Sequence, residues 1–332
     1  MVAFSLLLTF LLAGQGSGQR FIGKGIGKVH GRIEGINKLL KLVVAEEMHN
    51  NNGLVGRESF SLAAPRRDYG ITSNDVRYYL KHSLLSMCTP KDLESDRCFC
   101  KGKFEDAVIF KNRTLDSQAI VAADPANRLL VISYRMSVSE KNWDSNYKVD
   151  LARHPDLKGQ EKVHRGHLEF FTSLYPQMKL AVLAMLKEPK YKDYKLHVTG
   201  YSLGASSAII SLPSWTRLLK ENKLRNKIQL YSYSGPRPGN LEFAIYLENL
   251  GIPIVRYTKR GDVVPHVADQ SAGYSQVGQE FYDTSLPLYP RELIKCSPNV
   301  MEDSRCSLKD YNFMATNHLT PFQKPLPLPP YC

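Results

Sequence analysis

Long apolar runs are scarce in this chain of 332 residues. Past its first dozen or so residues, no stretch approaches the roughly 20 apolar residues that cross a bilayer, so none is a candidate membrane span. Internal repeats and low-complexity blocks are missing, which excludes a solenoid or an array. The formal net charge is +12, yet no run of five or more basic residues occurs and no aromatics interleave with them. That excludes a nucleic-acid footprint of the usual kind and leaves a soluble, charged surface. Residues 1–67 hold 9 Lys+Arg against 4 Asp+Glu, which is +5 of the total and leaves +7 for the remainder. Metal-ligand spacing is missing as well. Cys98-Phe99-Cys100 has a single intervening residue and no second pair or histidine cluster answers it, so neither zinc nor another cofactor is expected.

What is present begins with an apolar run at 2–13 followed by small and polar residues at 14–18. This is too short to span and ends at a cleavage-like site, so 1–18 reads as a secretory signal peptide, although a basic start is lacking beyond the α-amine. Residues 19–67 interleave Gly, Lys and Arg and close on Ala63-Ala64-Pro65-Arg66-Arg67. A dibasic pair in a flexible context is a processing signal, so 19–67 reads as a pro-segment and 68–332 as one catalytic domain; a solvated turn that is never cut is the competing reading. Six cysteines, an even set in an oxidising compartment, imply disulfides whose pairing the sequence leaves open. Asn112-Arg113-Thr114 is an N-glycosylation acceptor pattern.

From residue 68 onward, apolar spacing predicts a helix over 75–86 and short strands at 107–110 and 118–123, with a near-continuous apolar strand at 128–134. One long helix is expected from His164 to about Lys187; His164 and His167 at its start read as surface or capping residues. Strands at 228–233 and 252–257 alternate with a helix over 241–250. Such strand-helix-strand alternation implies an α/β fold with a mostly parallel sheet, whose ligands gather beyond the carboxyl ends of the strands. Leu196 to Gly204 matters most. It is an apolar-alternating run that stops at Gly200-Tyr201-Ser202-Leu203-Gly204 and continues into small residues. That order of strand, tight turn and helix is the context in which Gly-x-Ser-x-Gly presents a nucleophile, and the glycines let strand and helix pass closely. The helix that follows runs towards Lys220, and Pro213 inside it should kink or shorten it. Asp262 and His318 come later, at a strand end and in the tail, in the order Ser, Asp, His that α/β-hydrolases use.

Several segments together resemble the class 3, filamentous-fungal type lipases. Val198 to Gly204 is similar to that family's Thr-Gly-His-Ser-Leu-Gly elbow, and Gly235-Pro236-Arg237-Pro238-Gly239-Asn240 to its Gly-x-Pro-Arg-x-Gly-Asn loop. Asp262-Val263-Val264-Pro265 is similar to its acid motif, His318-Leu319 to its closing histidine, and Val163-His164-Arg165-Gly166 to a family helix start. The resemblance implies an α/β-hydrolase, with a central mostly parallel sheet and helices on both faces. Ser202 would be the nucleophile, His318 the base and Asp262 its orienting acid, with Ser137 and the N–H of Leu203 as oxyanion hole. It also implies a lid carrying Trp143, and disulfides Cys88–Cys332, Cys98–Cys100 and Cys296–Cys306. The departures are Tyr201 for a histidine, Met136 for a glycine, Ala205-Ser206 for Gly-Ala, Pro321 for an aromatic, and a largely polar lid. Expected is a secreted, monomeric triacylglycerol lipase acting on ester at a lipid–water interface, in peripheral contact with membrane or emulsion and without nucleic acid. A phospholipase A1-like or feruloyl-esterase-like activity is the alternative on the same fold, and an inactive lipid-binding protein the alternative of another class. N-terminal sequencing of the secreted chain tests the pro-segment: a start at Asp68 is expected, whereas a start at Gln19 overturns it.

Overall fold

The computed structural model describes residues 58–94, 104–285, 292–310, 313, 315–324 and 326. The expected signal peptide, most of the expected pro-segment, Cys98, Cys100 and Cys332 lie outside these. In chain order the elements are α1 (Ser73–Leu84), α2 (Pro90–Glu94), β1 (Glu105–Asn112), β2 (Ser117–Asp124), β3 (Leu129–Tyr134), α3 (Glu140–Tyr147), β4 (Leu151–Arg153) and β5 (Lys162–His164). There follow α4 (Arg165–Thr172), α5 (Tyr175–Lys187), β6 (Lys195–Tyr201), α6 (Leu203–Glu221), β7 (Ile228–Tyr233), β8 (Gly239–Asn240) and α7 (Leu241–Asn249). The chain continues through β9 (Ile254–Lys259), β10 (Tyr274–Ser275), β11 (Gln279–Asp283), β12 (Leu293–Lys295) and α8 (Ala315–His318).

Eight strands form one sheet in the order β1-β2-β3-β6-β7-β9-β11-β12. Its centre, β3 to β11, is parallel throughout, and β1, β2 and β12 close the edges antiparallel. Strand alternation then divides the core. Leu130, Ile132, Leu196, Val198 and Leu230 face α4 to α7, where they meet Phe170, Met178, Ile209, Trp215 and Phe243. Tyr201, Tyr231, Tyr233 and Tyr257 point the other way and pack with Val76 and Leu84 of α1 and with Phe322 and Leu326 of the tail. Helices therefore cover both faces, as the alternation implies. A smaller sheet, β10-β8-β5-β4, has strands of two or three residues that no period can reveal.

Two helix expectations need correction. The stretch from His164 to Lys187 is two helices, because Ser173 and Leu174 interrupt it and Pro176 opens the second. Conversely, α6 runs unbroken for 19 residues past Pro213. Proline removes one backbone bond at a cost of about 3 kcal/mol, but burying Ile209, Ile210, Leu212 and Trp215 contributes roughly 1.5–3 kcal/mol each, so packing wins. α1 starts at Ser73, two residues before the expected 75, where Thr72 and Asp75 form a reciprocal capping box.

Residues 58–66, which fall within the expected pro-segment and include the first arginine of the dibasic pair, are bonded to residues 248 and 298–301. Phe60 O accepts from Met301 N at 2.9 Å, Leu62 N donates to Asn299 O at 2.8 Å, and Arg66 N to Pro298 O at 3.0 Å. The Arg66 guanidinium grips Glu248 at 2.7 Å and donates to Val300 O at 2.6 Å.

Close approach at the elbow gives a test. A Cβ added to Gly204 would lie 2.1 Å from Tyr134 O, and one on Gly200 would lie 2.3 Å from the Gly204 carbonyl. Backbone cannot yield as a flexible side chain can, so Gly204→Ala should lose about 3 kcal/mol, roughly a 6–12 °C fall in Tm on thermal melting. An unchanged Tm would refute this account of the glycine.

Candidate active site

Ser202 sits between the end of β6 and the start of α6 with φ 56° and ψ −126°. A non-glycine residue held there stores about 1–3 kcal/mol of backbone strain, which the buried strand and helix on either side sustain. The turn throws the hydroxyl clear of the sheet edge. His318 Nε2 lies 2.9 Å from Ser202 Oγ, and His318 Nδ1 lies 3.0 and 3.1 Å from the two carboxylate oxygens of Asp262. Residues separated in sequence by 116 and 56 positions thus form one bonded row. Asp262 is fully buried, while Ser202 and His318 keep only 6 % and 5 % of their surface exposed. In so dry a setting the carboxylate stabilises an imidazolium strongly, and the row can shuttle the serine proton.

Each member has its own support. Asp262 follows β9, and its Oδ1 accepts from Val264 N at 3.0 Å. The turn after it is clamped by Arg237, which donates to His266 O at 2.5 Å and Ala268 O at 2.9 Å and pairs with Glu302 at 2.8 Å. Gln276 Nε2 adds bonds to Gly235 O and Pro265 O at 3.0 and 2.9 Å. Burial works to raise the Glu302 carboxyl, but the Arg237 guanidinium more than offsets it and holds the group below its usual range. Glu302 lies in the loop closed by the Cys296–Cys306 disulfide. This pairing agrees with the expected one. Cys88 is also disulfide-bonded, and its partner lies outside the described residues. His318 closes α8, and Lys259 reaches the same loop by donating to Thr320 O and Oγ1.

At the expected oxyanion hole, the chain leaving β3 crosses the first turn of α6, where Gly204 faces Tyr134 O and the Arg135 carbonyl carbon. Leu203 N lies in the first turn of α6, where backbone donors have no intrahelical acceptor. Ser137 Oγ accepts from Asn146 Nδ2 at 3.0 Å, Asn146 Oδ1 lies 3.3 Å from His167 Nε2, and His167 Nδ1 lies 2.8 Å from Ser206 Oγ. His164 and His167 are accordingly buried, not on the surface. His164 does cap α4, accepting from His167 N, and the two rings stack with centroids 3.6 Å apart. Burial drives His164 down to about 4 and His167 well below its ordinary value, so both are neutral hydrogen-bonding groups. The only metal-like gathering among the described residues is Glu280, Cys296 and Cys306, and its two sulfurs are bonded to each other.

The helix expected as a lid is α3. Trp143 is buried within it at 8 % exposure, whereas Glu140, Lys141 and Asp144 are exposed. Its first turn is tied to the β1–β2 hairpin: Asn142 Nδ2 donates to Leu115 O and Asp116 O at 3.0 Å, and Lys141 to Arg113 O at 2.9 Å. Asn112 stands in that hairpin with Oδ1 accepting from Thr114 N and Leu115 N. Sequence reasoning missed the supports supplied by Lys259, Asn146 and His167; Arg237 alone carried a signal, its place in the Gly-Pro-Arg-Pro-Gly-Asn loop.

A parallel sheet with a strained serine after its central strand and a Ser-His-Asp row at its carboxyl edge defines a serine hydrolase of the α/β-hydrolase fold. Residues 131–271 match the family model described as lipase, class 3. A lipase of Rhizomucor miehei is 30% identical over 255 residues, covering 75% of this chain and 68% of the relative. A secreted mono- and diacylglycerol lipase of Fusarium solani is 27% identical over 230 residues, covering 66% of each. A solved triacylglycerol lipase, described as having a serine protease triad for its catalytic centre, superposes with a TM-score of 0.67 at 27% identity, over 78% of this chain and 98% of that one. The chain belongs to the class 3 lipase family, and it is a serine carboxylic ester hydrolase. His318→Ala should lower kcat on a short nitrophenyl ester by about 10⁴-fold or more, while His266→Ala, which lies against Phe313 rather than Ser202, should keep most of it. Equal losses would remove His318 from the row.

Proposed function

We propose that the enzyme hydrolyses acylglycerols through an acyl-enzyme on Ser202. Ser202 Oγ attacks the ester carbonyl carbon as its proton passes to His318 Nε2, which Asp262 orients and charge-stabilises. The tetrahedral intermediate collapses, the C–O bond to glycerol breaks, and the leaving alcohol takes that proton from His318. Water then enters, gives its proton to the same nitrogen, and attacks the acyl carbon; the acid departs and Ser202 regains its hydrogen. The negative oxygen formed in both halves is bound by Leu203 N–H and by Ser137, each such donor being worth roughly 3–4 kcal/mol of barrier. Because Ser137 Oγ accepts from Asn146, its own O–H is left to donate. The observation that carries this reading is the unbroken row from Ser202 through His318 to Asp262.

The polar outer face of α3 supports a second specificity. Glu140, Lys141 and Asp144 offer little to an oil surface, so interfacial activation is weak and a phospholipase A1-like or feruloyl-esterase-like preference stands as the alternative. Among the described residues no helix is long and apolar enough to cross a membrane. Together with the apolar leader and the secreted relatives, that supports export of an enzyme that meets its substrate at a lipid–water interface. The same setting favours a glycan on Asn112, removal of the segment ending at Arg67, and the pairs Cys88–Cys332 and Cys98–Cys100.

A panel of tributyrin, triolein, phosphatidylcholine and a feruloyl ester, run on wild type and Ser202→Ala, tests both levels. Glyceride turnover by the wild type and none by the variant is expected. Equal rates for the two proteins would end the Ser202 assignment, and feruloyl turnover without glyceride turnover would end the lipase specificity.

A further inference from the structure

We infer that Tyr201, the residue before the nucleophile, is a positioning residue for His318; this rests on the triad proposed above. Its phenol donates to His318 O at 2.5 Å, and the two rings lie 5.4 Å apart. The bond answers a specific need. His318 ends α8, a single turn of 4 residues, too short to hold itself by its own backbone. The last carbonyls of any helix lack intrahelical donors. Here Thr316 O is taken by Leu319 N at 3.1 Å and Leu319 O by Leu326 N at 3.0 Å. Thr320 O is taken by Lys259, and His318 O by Tyr201. The carbonyl of the base itself is thus bonded by a side chain from the strand that carries the nucleophile.

That arrangement closes a ring. From Ser202 the chain steps back one residue to Tyr201, crosses by the phenol to the His318 backbone, and returns through the imidazole to Ser202 Oγ. Movement of the elbow therefore carries the base with it. Tyr201 is fully buried in a cluster with Tyr233, Tyr257 and Phe322, which confines the ring, and the Ser234 hydroxyl is a second polar group near its phenol. Burial, then the Asp262 charge, drives that phenol far above its ordinary range, so it stays protonated and a donor throughout the working pH range. The link belongs to this chain's departure from the family pattern, in which a histidine stands at this place.

Tyr201→Phe keeps the ring and removes only the donor. Small displacements of a catalytic group cost up to about 100-fold in rate, so kcat on a soluble nitrophenyl ester should fall about 10- to 100-fold with KM within about 2-fold. The rate of inactivation by a phosphonate ester should fall in parallel, and the low-field proton resonance of His318 Nδ1 should broaden. Incorporating 3-fluorotyrosine at 201, which retains the O–H, should restore the rates. Tyr233→Phe is the control for a structural role: it deletes a bond of the same kind in the same core, Tyr233 OH to Val76 O at 2.7 Å, and should cost stability without lowering kcat. Unchanged kcat and phosphonate rate in Tyr201→Phe, or an equal loss in Tyr233→Phe, would overturn the inference. A Ser202→Ala protein that still turns over the ester would instead overturn the triad beneath it.

Discussion

The strained turn at Ser202 is the constraint on which the rest of the structure depends. A non-glycine residue at φ 56° persists only where its surroundings over-determine it. Here they do so through contact too close for any side chain: Gly200 against the first turn of α6, and Gly204 against the end of β3. The same approach lays the end of β3 and Arg135 against the helix start. One local strain thus sets the turn that carries Ser202.

Asp262 and His318 enjoy no such backbone geometry, since Asp262 sits in the turn after β9 and His318 ends a helix of a single turn. They are held by polar groups buried in the sheet and its edges. Arg237 and Gln276 hold the turn after Asp262, and Glu302, from a disulfide-closed loop, neutralises Arg237. Lys259 and Tyr201 hold the loop of His318. Burying charge in this way gains little net stability, because desolvation offsets attraction, but leaving one partner alone is severe. Such pairs therefore lock geometry, which is what a row of three bonded side chains requires.

The surroundings of the row are polar and rigid as well. His164 and His167 are stacked and neutral beneath Asn146, and α3 is tethered by Asn142 to the β1–β2 hairpin. A helix pinned at its first turn and charged on its outer face differs from a loosely hinged apolar flap.

The alternation of strand and helix, the elbow, and Ser202, Asp262 and His318 as the three residues that meet in one bonded row were legible in the residues alone. Period, glycine spacing and chain order are local properties that survive without coordinates. The sequence misjudged the break at Ser173, where Pro176 opens a second helix, and the continuity of α6 through Pro213, where tertiary burial outweighs local propensity. It could not show the small sheet, whose strands are too short to have a period. Nor could it show the supports of the row. Lys259 carries no signal, Tyr201 reads as a departure from the family pattern, and His167 as a cap or surface group. Only the folding of β6, β9 and the tail onto one sheet edge turns them into buried partners. Hydrogen bonds between residues 61 to 117 positions apart leave no pattern in sequence, and they exist because the fold removes water from that edge.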